Sequence, residues 1–383
     1  MNFAFFVHSL ASDWNHGNAH FVRGVCSDLV RRGHGVVAYE QKDNWSRWNL
    51  EHDHGEVASR AYLSAYSELS DVEHIYSLAS VSGNWDDPSE ADVVAAEEAL
   101  DLPALLRGVD VAVVHEWTPP AVVAAIGRYR RRDGGFRLLF HDTHHRIVSE
   151  PKEMEKFQLA HYDGVLAFGR VLTEAYEQRG WRGRACTWHE AADTERFKPL
   201  GGEKLGDLVW VGNWGDDERT AELHEYLLGP AKDLRLNSVV YGVRYPDAAR
   251  EALTDAGIAY GGYLPNFRAP ELFAAHKVTV HVPRKWYVSH LPGIPTIRPF
   301  EALACAIPLI SAPWRDAEGL FAPGEDFAVA TSGSEMKEKL AFLLDHPDAA
   351  AEQAERGRAT VLARHTCRHR VDELLEIVEG LPK

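Results

Sequence analysis

The stretch Pro295-Thr296-Ile297-Arg298-Pro299-Phe300-Glu301-Ala302-Leu303-Ala304-Cys305-Ala306-Ile307-Pro308-Leu309-Ile310 reads as a short, proline-bounded helix that runs into an apolar strand. Glu301 sits near the start of that helix, where a carboxylate is favoured by the helix dipole. The same N-terminus offers unpaired N–H groups and a positive dipole end to an anion such as a diphosphate. Read alone, the segment is equally a core helix and strand with an ordinary N-terminal acid.

Working outward, short apolar runs alternate with helical patterns along the whole chain, which is the signature of parallel α/β architecture. In the first half, strands are expected at Phe3–His8, Val36–Tyr39, Val109–Val114, Arg137–Phe140, Gly164–Phe168 and Arg184–Trp188. Phe21, Val22, Val25, Cys26, Leu29 and Val30 mark a helix after the first strand, stopped by Gly33. Val57, Ala58, Ala61, Tyr62, Ala65, Tyr66 and Leu69 form a second helical stripe. The Trp-rich stretch from Gln41 to Gly55 has no clear period and is expected to be an excursion near the site. In the second half, strands are expected at Asp207–Val211, Ser238–Tyr241, Ile258–Tyr260, Val278–Val282 and Pro308–Ser311, with a helical tail from about Ser334.

The turn-rich, apolar-poor segment 198–206 reads as a linker. It divides the chain into an N-terminal α/β domain (1–197), a C-terminal α/β domain (207–366) and a last helix (367–383). Two doubly wound halves about a hinge put the expected functional cleft between the carboxyl edges of their sheets. Neither G-x-G-x-x-G nor G-x-x-x-x-G-K-[ST] occurs, which argues against a dinucleotide dehydrogenase or a P-loop enzyme.

At 383 residues, 45% hydrophobic and 26% charged, the composition is that of a globular protein with material for two cores. The formal charge of −16, from 41 Lys+Arg against 57 Asp+Glu, disfavours nucleic-acid backbones and anionic lipid as partners. Cys26, Cys186, Cys305 and Cys367 lie far apart, so neither a disulfide framework nor a thiolate zinc site is expected. With no signal-like segment and no long apolar run, the expectation is a cytoplasmic protein without a membrane span.

After Pro295–Ile310 come Ala317-Glu318-Gly319-Leu320-Phe321-Ala322-Pro323-Gly324-Glu325-Asp326-Phe327 and then Arg364-His365-Thr366-Cys367-Arg368-His369-Arg370. Together these segments resemble the C-terminal domain of group-1 glycosyltransferases of the GT-B fold, in their spore-maturation-protein-like (CgeB-like) branch. The resemblance is close over 278–378 and looser over the rest of the second half. It implies two Rossmann-like domains and sugar transfer from a nucleotide diphosphate donor, with no metal and no cofactor beyond the nucleotide sugar. It also implies that Glu301 accepts hydrogen bonds from the ribose diol, since a carboxylate suits two adjacent hydroxyls. Many relatives carry a further glutamate earlier in this segment, near the transferred sugar. Here positions 293 and 294 are Gly and Ile, and Ala306 replaces the family's glycine, so that role is unassigned. Backbone N–H groups around Leu291–Ile294 are the candidate replacement.

Val209-Trp210-Val211-Gly212-Asn213-Trp214-Gly215-Asp216-Asp217-Glu218-Arg219 is a strand that ends in a glycine turn. Gly212, Asn213 and Gly215 there let backbone amides approach a pyrophosphate, with Arg219 as a bidentate cation; alone it would be an ordinary βα loop. Gly262, Tyr263 and Leu264 resemble the family's base-contacting turn. Arg284 and Lys285, after a strand, put cations beside the phosphates or belong to a solvated loop.

In the first half, Phe140-His141-Asp142-Thr143-His144-His145-Arg146 follows a buried strand. Asp142 and His144 are the leading candidates to take the acceptor proton, and His16 is a second candidate base. A structural His–Asp turn is the plain alternative, and metal ligation by this His-rich run ranks below both, because adjacent side chains on a tight turn point apart. Asp13, Gly17, Glu116 and Trp117 are the acceptor-side candidates, with core or hinge packing as the plain alternative for Trp117. Two other classes stay open: a nucleotide-sugar epimerase of the same fold and a non-catalytic nucleotide-sugar binder. The sugar, the nucleotide, the acceptor, the stereochemical course and the oligomeric state are not legible in the residues.

Overall fold

The computed structural model describes residues 1–80, 82–215 and 218–381. Asp216 and Asp217 of the glycine-turn segment, and the end of the 367–383 helix at Pro382 and Lys383, lie outside the described residues. Two compact units emerge: Met1–His189 with Arg370–Lys383, and Glu190–His369. The change of unit thus falls at 189/190, ahead of the expected 198–206 linker, and the last helix, Cys367–Glu379, is divided at 369/370.

The first unit holds a seven-stranded sheet in the order β3-β2-β1-β4-β5-β6-β7. Its strands are β1 (Asn2–Val7), β2 (Gly35–Gln41), β3 (Glu73–Tyr76), β4 (Val111–His115), β5 (Arg137–Asp142), β6 (Gly164–Ala167) and β7 (Arg184–Thr187). Every pairing in it is parallel. Parallel strands buried on both faces read as continuous apolar runs, and Phe3, Phe5 and Phe6 of β1 and Val111 to Val114 of β4 fit that pattern.

The second unit holds a six-stranded parallel sheet in the order β10-β9-β8-β11-β12-β13. These strands are β8 (Gly206–Val211), β9 (Ser238–Tyr241), β10 (Ile258–Tyr260), β11 (His276–His281), β12 (Leu309–Ser311) and β13 (Ala328–Val329). One core, including Trp210, Leu227, Val280 and Leu340, lies on one face. The other, including Val209, Phe273, Phe300 and Leu309, lies on the opposite face, as the alternation of Val209 and Trp210 requires.

Strand order reverses between β1 and β4 in one sheet and between β8 and β11 in the other. Such switch points open a crevice at the carboxyl ends of the strands, where ligands bind in doubly wound folds. The loops after β1, β4 and β5, and after β8, β11 and β12, are therefore where function is sought.

The Gln41–Gly55 stretch is not an irregular excursion. It contains a helix, Trp45–His54, whose N-cap Asn44 accepts a hydrogen bond from the Arg47 N–H at 2.9 Å. Among the described residues, no helix is long and apolar enough to cross a membrane.

Candidate active site

On the first unit, β5 runs two residues beyond its expected end, so His141 and Asp142 belong to the strand and not to a turn. Asp142 is fully buried. It accepts from the Tyr176 hydroxyl at 2.8 Å and from the His144 N–H at 3.1 Å. Burial, reinforced by the Glu116 carboxylate, raises its pKa. Asp142 therefore holds the turn that carries His144 and has no surface to offer an acceptor, contrary to its expected role as a base. His144 is half-buried, with its ring 5.8 Å from Trp117 and 4.0 Å from His145.

His16 is buried among His8 (5.0 Å), His115 (5.7 Å) and Trp45 (6.5 Å). Asp13 turns inward to Arg23 at 3.1 Å and to the Tyr62 hydroxyl, so it orders the loop after β1 instead of facing an acceptor. Gly17 is exposed, and the left-handed residue of that loop is Asn15, at φ 50°. Glu116 is likewise enclosed. It accepts from the Thr143 N–H at 3.1 Å and hydroxyl at 2.8 Å, and it pairs with Arg146. Trp117 packs on Trp45 at 5.9 Å, and the Arg146 guanidinium lies 5.0 Å above its ring, which favours the packing alternative.

Three further histidines are buried here: His8 and His115, which were not singled out as candidates, and His141, which entered only through the metal reading of its turn. Their shared signal is position, since His8 follows β1, His115 ends β4 and His141 lies near the end of β5. The Trp117 N–H donates to His115 Nδ1 at 3.2 Å, which leaves Nε2 protonated and donating to Thr143 Oγ1 at 3.2 Å. Burial lowers the His8 pKa to about 4 and that of His141 to about 3. His16 and His115 lie well below the ordinary value, from burial first and then from the neighbouring charged forms of the cluster.

A pH dependence follows from these four neutral imidazoles. Unfolded, they titrate near pH 6.5, so below that pH the unfolded state binds protons that the native state refuses. Their contribution is complete above about pH 6.5 and is lost as pH falls, by about 2 kcal/mol for each histidine at pH 5. The raised carboxyls Asp142 and Glu40 work in the opposite sense and offset up to half of this. The expected net effect, to which the buried His281 adds, is a lower Tm at pH 5 than at pH 7. Melting curves followed by circular dichroism check this, and a flat Tm would contradict the neutral cluster.

On the second unit, the Gly212 N–H donates to Tyr241 O at 2.8 Å, and Tyr245 donates to Gly212 O at 2.9 Å. Asn213 Oδ1 accepts from the Val243 N–H at 2.8 Å. Gly212 and Asn213 are thus committed to joining the loops after β8 and β9, and the Gly212 amide does not point to a ligand. Gly215 is at φ +83°, a conformation that favours glycine, and a Cβ there would lie 3.1 Å from Arg219 Nε and crowd that side chain.

Arg219 donates to the backbone carbonyls of Val282 at 3.1 Å and of Asn213, and its guanidinium lies 5.1 Å from the Trp210 ring. Burial, followed by repulsion from Arg284, with Arg298 adding to it, lowers its pKa to about 9, so it stays charged at neutral pH. Arg284 lies 3.7 Å from Glu218, and Lys285 is exposed at the start of the helix Lys285–His290. Gly262 is at φ +72°, and its carbonyl accepts from the Gly242 N–H at 2.9 Å. Tyr263 and Leu264 are half-buried beside it.

Glu301 lies in the helix Ile297–Ala304 and is fully buried. It accepts from Asn266 Nδ2 at 2.8 Å and pairs with Arg298, so its carboxylate orients Arg298 and is not open to a ribose. Asn266 and Arg298 were missed because neither lies in a glycine turn. His281, the last residue of β11, was missed too. Its Nδ1 donates to Ser311 Oγ at 2.9 Å, because that hydroxyl itself donates to Ala312 O at 2.7 Å. Among the described residues, no group of three or more His, Cys, Asp or Glu is placed to hold a metal ion.

Residues 219–376 match the family described as Glycosyl transferase-like. No curated protein sequence matches the chain. Anabaena Alr3699/HepE, solved in complex with UDP, is similar over 100% of both chains, with TM-score 0.67 and 13% identity. The sucrose-phosphate synthase from Thermosynechococcus elongatus is similar over 99% of this chain and 98% of its own, with TM-score 0.67 and 14% identity. A glycosyltransferase from Rickettsia africae covers 99% of this chain and 97% of its own, with TM-score 0.67 and 12% identity. At such identities the likeness is one of fold, and the family match supplies the class for the second unit. The chain has the GT-B fold of these structures, and its residues 219–376 are similar to the glycosyl transferase-like family.

Proposed function

We propose that this protein transfers a glycosyl group from a nucleoside diphosphate sugar, of which UDP sugars are the first class to test, to an acceptor hydroxyl, without a bridging metal. The observation that carries the reading is Arg219. It is a half-buried guanidinium in the loop after β8 that bonds to carbonyl oxygens and is repelled by Arg284 and Arg298. A diphosphate at this edge relieves that repulsion, and its negative charge grows as the glycosidic bond breaks. Preorganised cations aimed at such a leaving group stabilise the transition state. Three guanidinium groups at one sheet edge supply the charge that a metal supplies elsewhere, and the UDP bound to the similarly folded Anabaena protein supports the choice of nucleotide.

The glycine turn at Gly262 with Tyr263 and Leu264 is assigned to the nucleobase, Arg284 and Lys285 to the phosphate side, and Glu301 to holding Arg298. On the first unit, His144 is assigned to the acceptor proton. The resemblance of the segments quoted from 295 to 370 supports assignment to the CgeB-like branch, and the four buried cysteines suit a reducing cytoplasm.

Glu301→Ala is expected to weaken UDP binding by about 1.5–3 kcal/mol, roughly 10- to 150-fold, by releasing Arg298. Calorimetric titration measures it, and an unchanged affinity would remove Glu301 from the donor site. The reaction itself is tested with UDP sugars and a panel of hydroxyl acceptors in EDTA. UDP release matched by glycosylated acceptor supports the proposal. Interconversion of UDP sugars without an acceptor, or binding without turnover, contradicts it.

A further inference from the structure

Arg244 lies in the loop between β9 and the helix Asp247–Asp255, with φ at +59°, a left-handed conformation that glycine enters freely and arginine only at a cost. It does not end a helix, which is the ordinary setting for that conformation. Backbone strain of this kind persists where the surroundings over-determine the chain, and it gathers at ligand-binding loops.

The loops on both sides fix this one. The Val243 N–H donates to Asn213 Oδ1 at 2.8 Å, after β8, and the Gly242 N–H donates to Gly262 O at 2.9 Å, after β10. The Tyr260 hydroxyl donates to Gly242 O at 2.8 Å, and the Tyr245 hydroxyl donates to Gly212 O at 2.9 Å. A Cβ on Gly242 would lie 2.1 Å from Gly212 O, so the two backbones are in contact. Val243 and Tyr245 are buried, and Arg244 between them is exposed. Among the described residues, no hydrogen bond or ion pair engages its guanidinium. The sheet order puts the loops after β9 and β10 on one side of the β8 turn, and the β11–β12 connection that carries Arg284 and Arg298 on the other. Arg244 therefore stands away from those phosphate-side cations and beside the Gly262 turn, on a backbone held in place before any ligand arrives.

We infer that Arg244 reads the edge of the nucleobase and selects a base that presents a carbonyl oxygen there, uracil first, against one that presents an amino group. This rests on the transferase reading above and on its assignment of the Gly262 turn to the base. A guanidinium only donates hydrogen bonds. It therefore suits the O4 of uracil or the O6 of guanine and meets another donor in the N4 amino group of cytosine or the N6 amino group of adenine.

The test titrates the full chain by calorimetry with UDP and CDP, and with GDP and ADP, comparing wild type, Arg244→Gly and Arg244→Lys, with Tm recorded for each. Glycine suits the left-handed backbone, so Arg244→Gly removes the side chain while Tm stays at or above the wild-type value. The inference predicts that wild type prefers the carbonyl member of the pair it binds by roughly 10-fold or more, the scale of one base contact. In Arg244→Gly that member loses about 10-fold while its amino partner stays within about 2-fold of wild type. Arg244→Lys falls between, since an ammonium is a single point donor. Unchanged affinity in Arg244→Gly, an equal loss for both members, or a wild type without the preference overturns the inference, because neither a turn residue nor a phosphate contact separates the bases. Failure of wild type to bind any of the four strikes the transferase reading first and removes the inference with it.

Discussion

Replacing His144 with alanine is expected to lower kcat by a factor of at least about 100, the ordinary range for loss of a general base, while UDP affinity stays at the wild-type value. The other candidates are excluded by enclosure. Asp142 is fully buried between the Tyr176 hydroxyl and the His144 N–H, and His16 lies within the ring cluster of His8, His115 and Trp45. His144 alone of the three is half-buried, on a turn fixed by a 3.1 Å bond to Asp142. The comparison variant is Asp142→Asn, which keeps an acceptor for the His144 N–H and is expected to cost much less than the alanine at 144. Steady-state turnover with UDP binding measured in parallel separates the outcomes. An unchanged kcat in His144→Ala would end its assignment.

Arg219→Ala is expected to weaken UDP binding by about 2–3 kcal/mol, roughly 30- to 150-fold, the scale of a lost charge-assisted bond. Arg219→Lys is expected to fall between, because a point-like ammonium cannot hold the carbonyls of Asn213 and Val282 and still face a diphosphate. Should the lysine variant bind as tightly as wild type, bidentate recognition at this position is refuted. Should the alanine variant do so, the diphosphate lies elsewhere.

The strands that the sequence made legible were those that carry an apolar run, even where, as in β10, only Ile258 is buried. β9 and β10 begin and end where the apolar runs do. β3 was missed because only Tyr76 of its four residues is buried, so an edge strand without an apolar run leaves no periodic trace. β13, two residues long, leaves even less. The helix Trp45–His54 buries only Ser46 and Leu50, and its one clear local mark was the capping Asn44.

The site divides in the same way. Features carried by one segment were visible: the turn at Gly215 with Arg219, the helix of Glu301, and the His-rich run at 141–145. Features made by contact between distant segments were not. Glu301 is closed off by Asn266, Asp142 by Tyr176, and Gly293 is filled by Glu318. In each pair a carboxylate meets a residue far along the chain, and no local pattern records which carboxylates the fold has already engaged.

The central claim is a diphosphate site that needs no metal, and thermal stabilisation by UDP, GDP, TDP, ADP and CDP, each with and without EDTA, tests it most directly. Ligand at about 100 times its Kd adds about 2.7 kcal/mol to the native state. The account predicts a clear rise in Tm with UDP that EDTA leaves intact. No rise with any diphosphate, or a rise that EDTA abolishes, would contradict it.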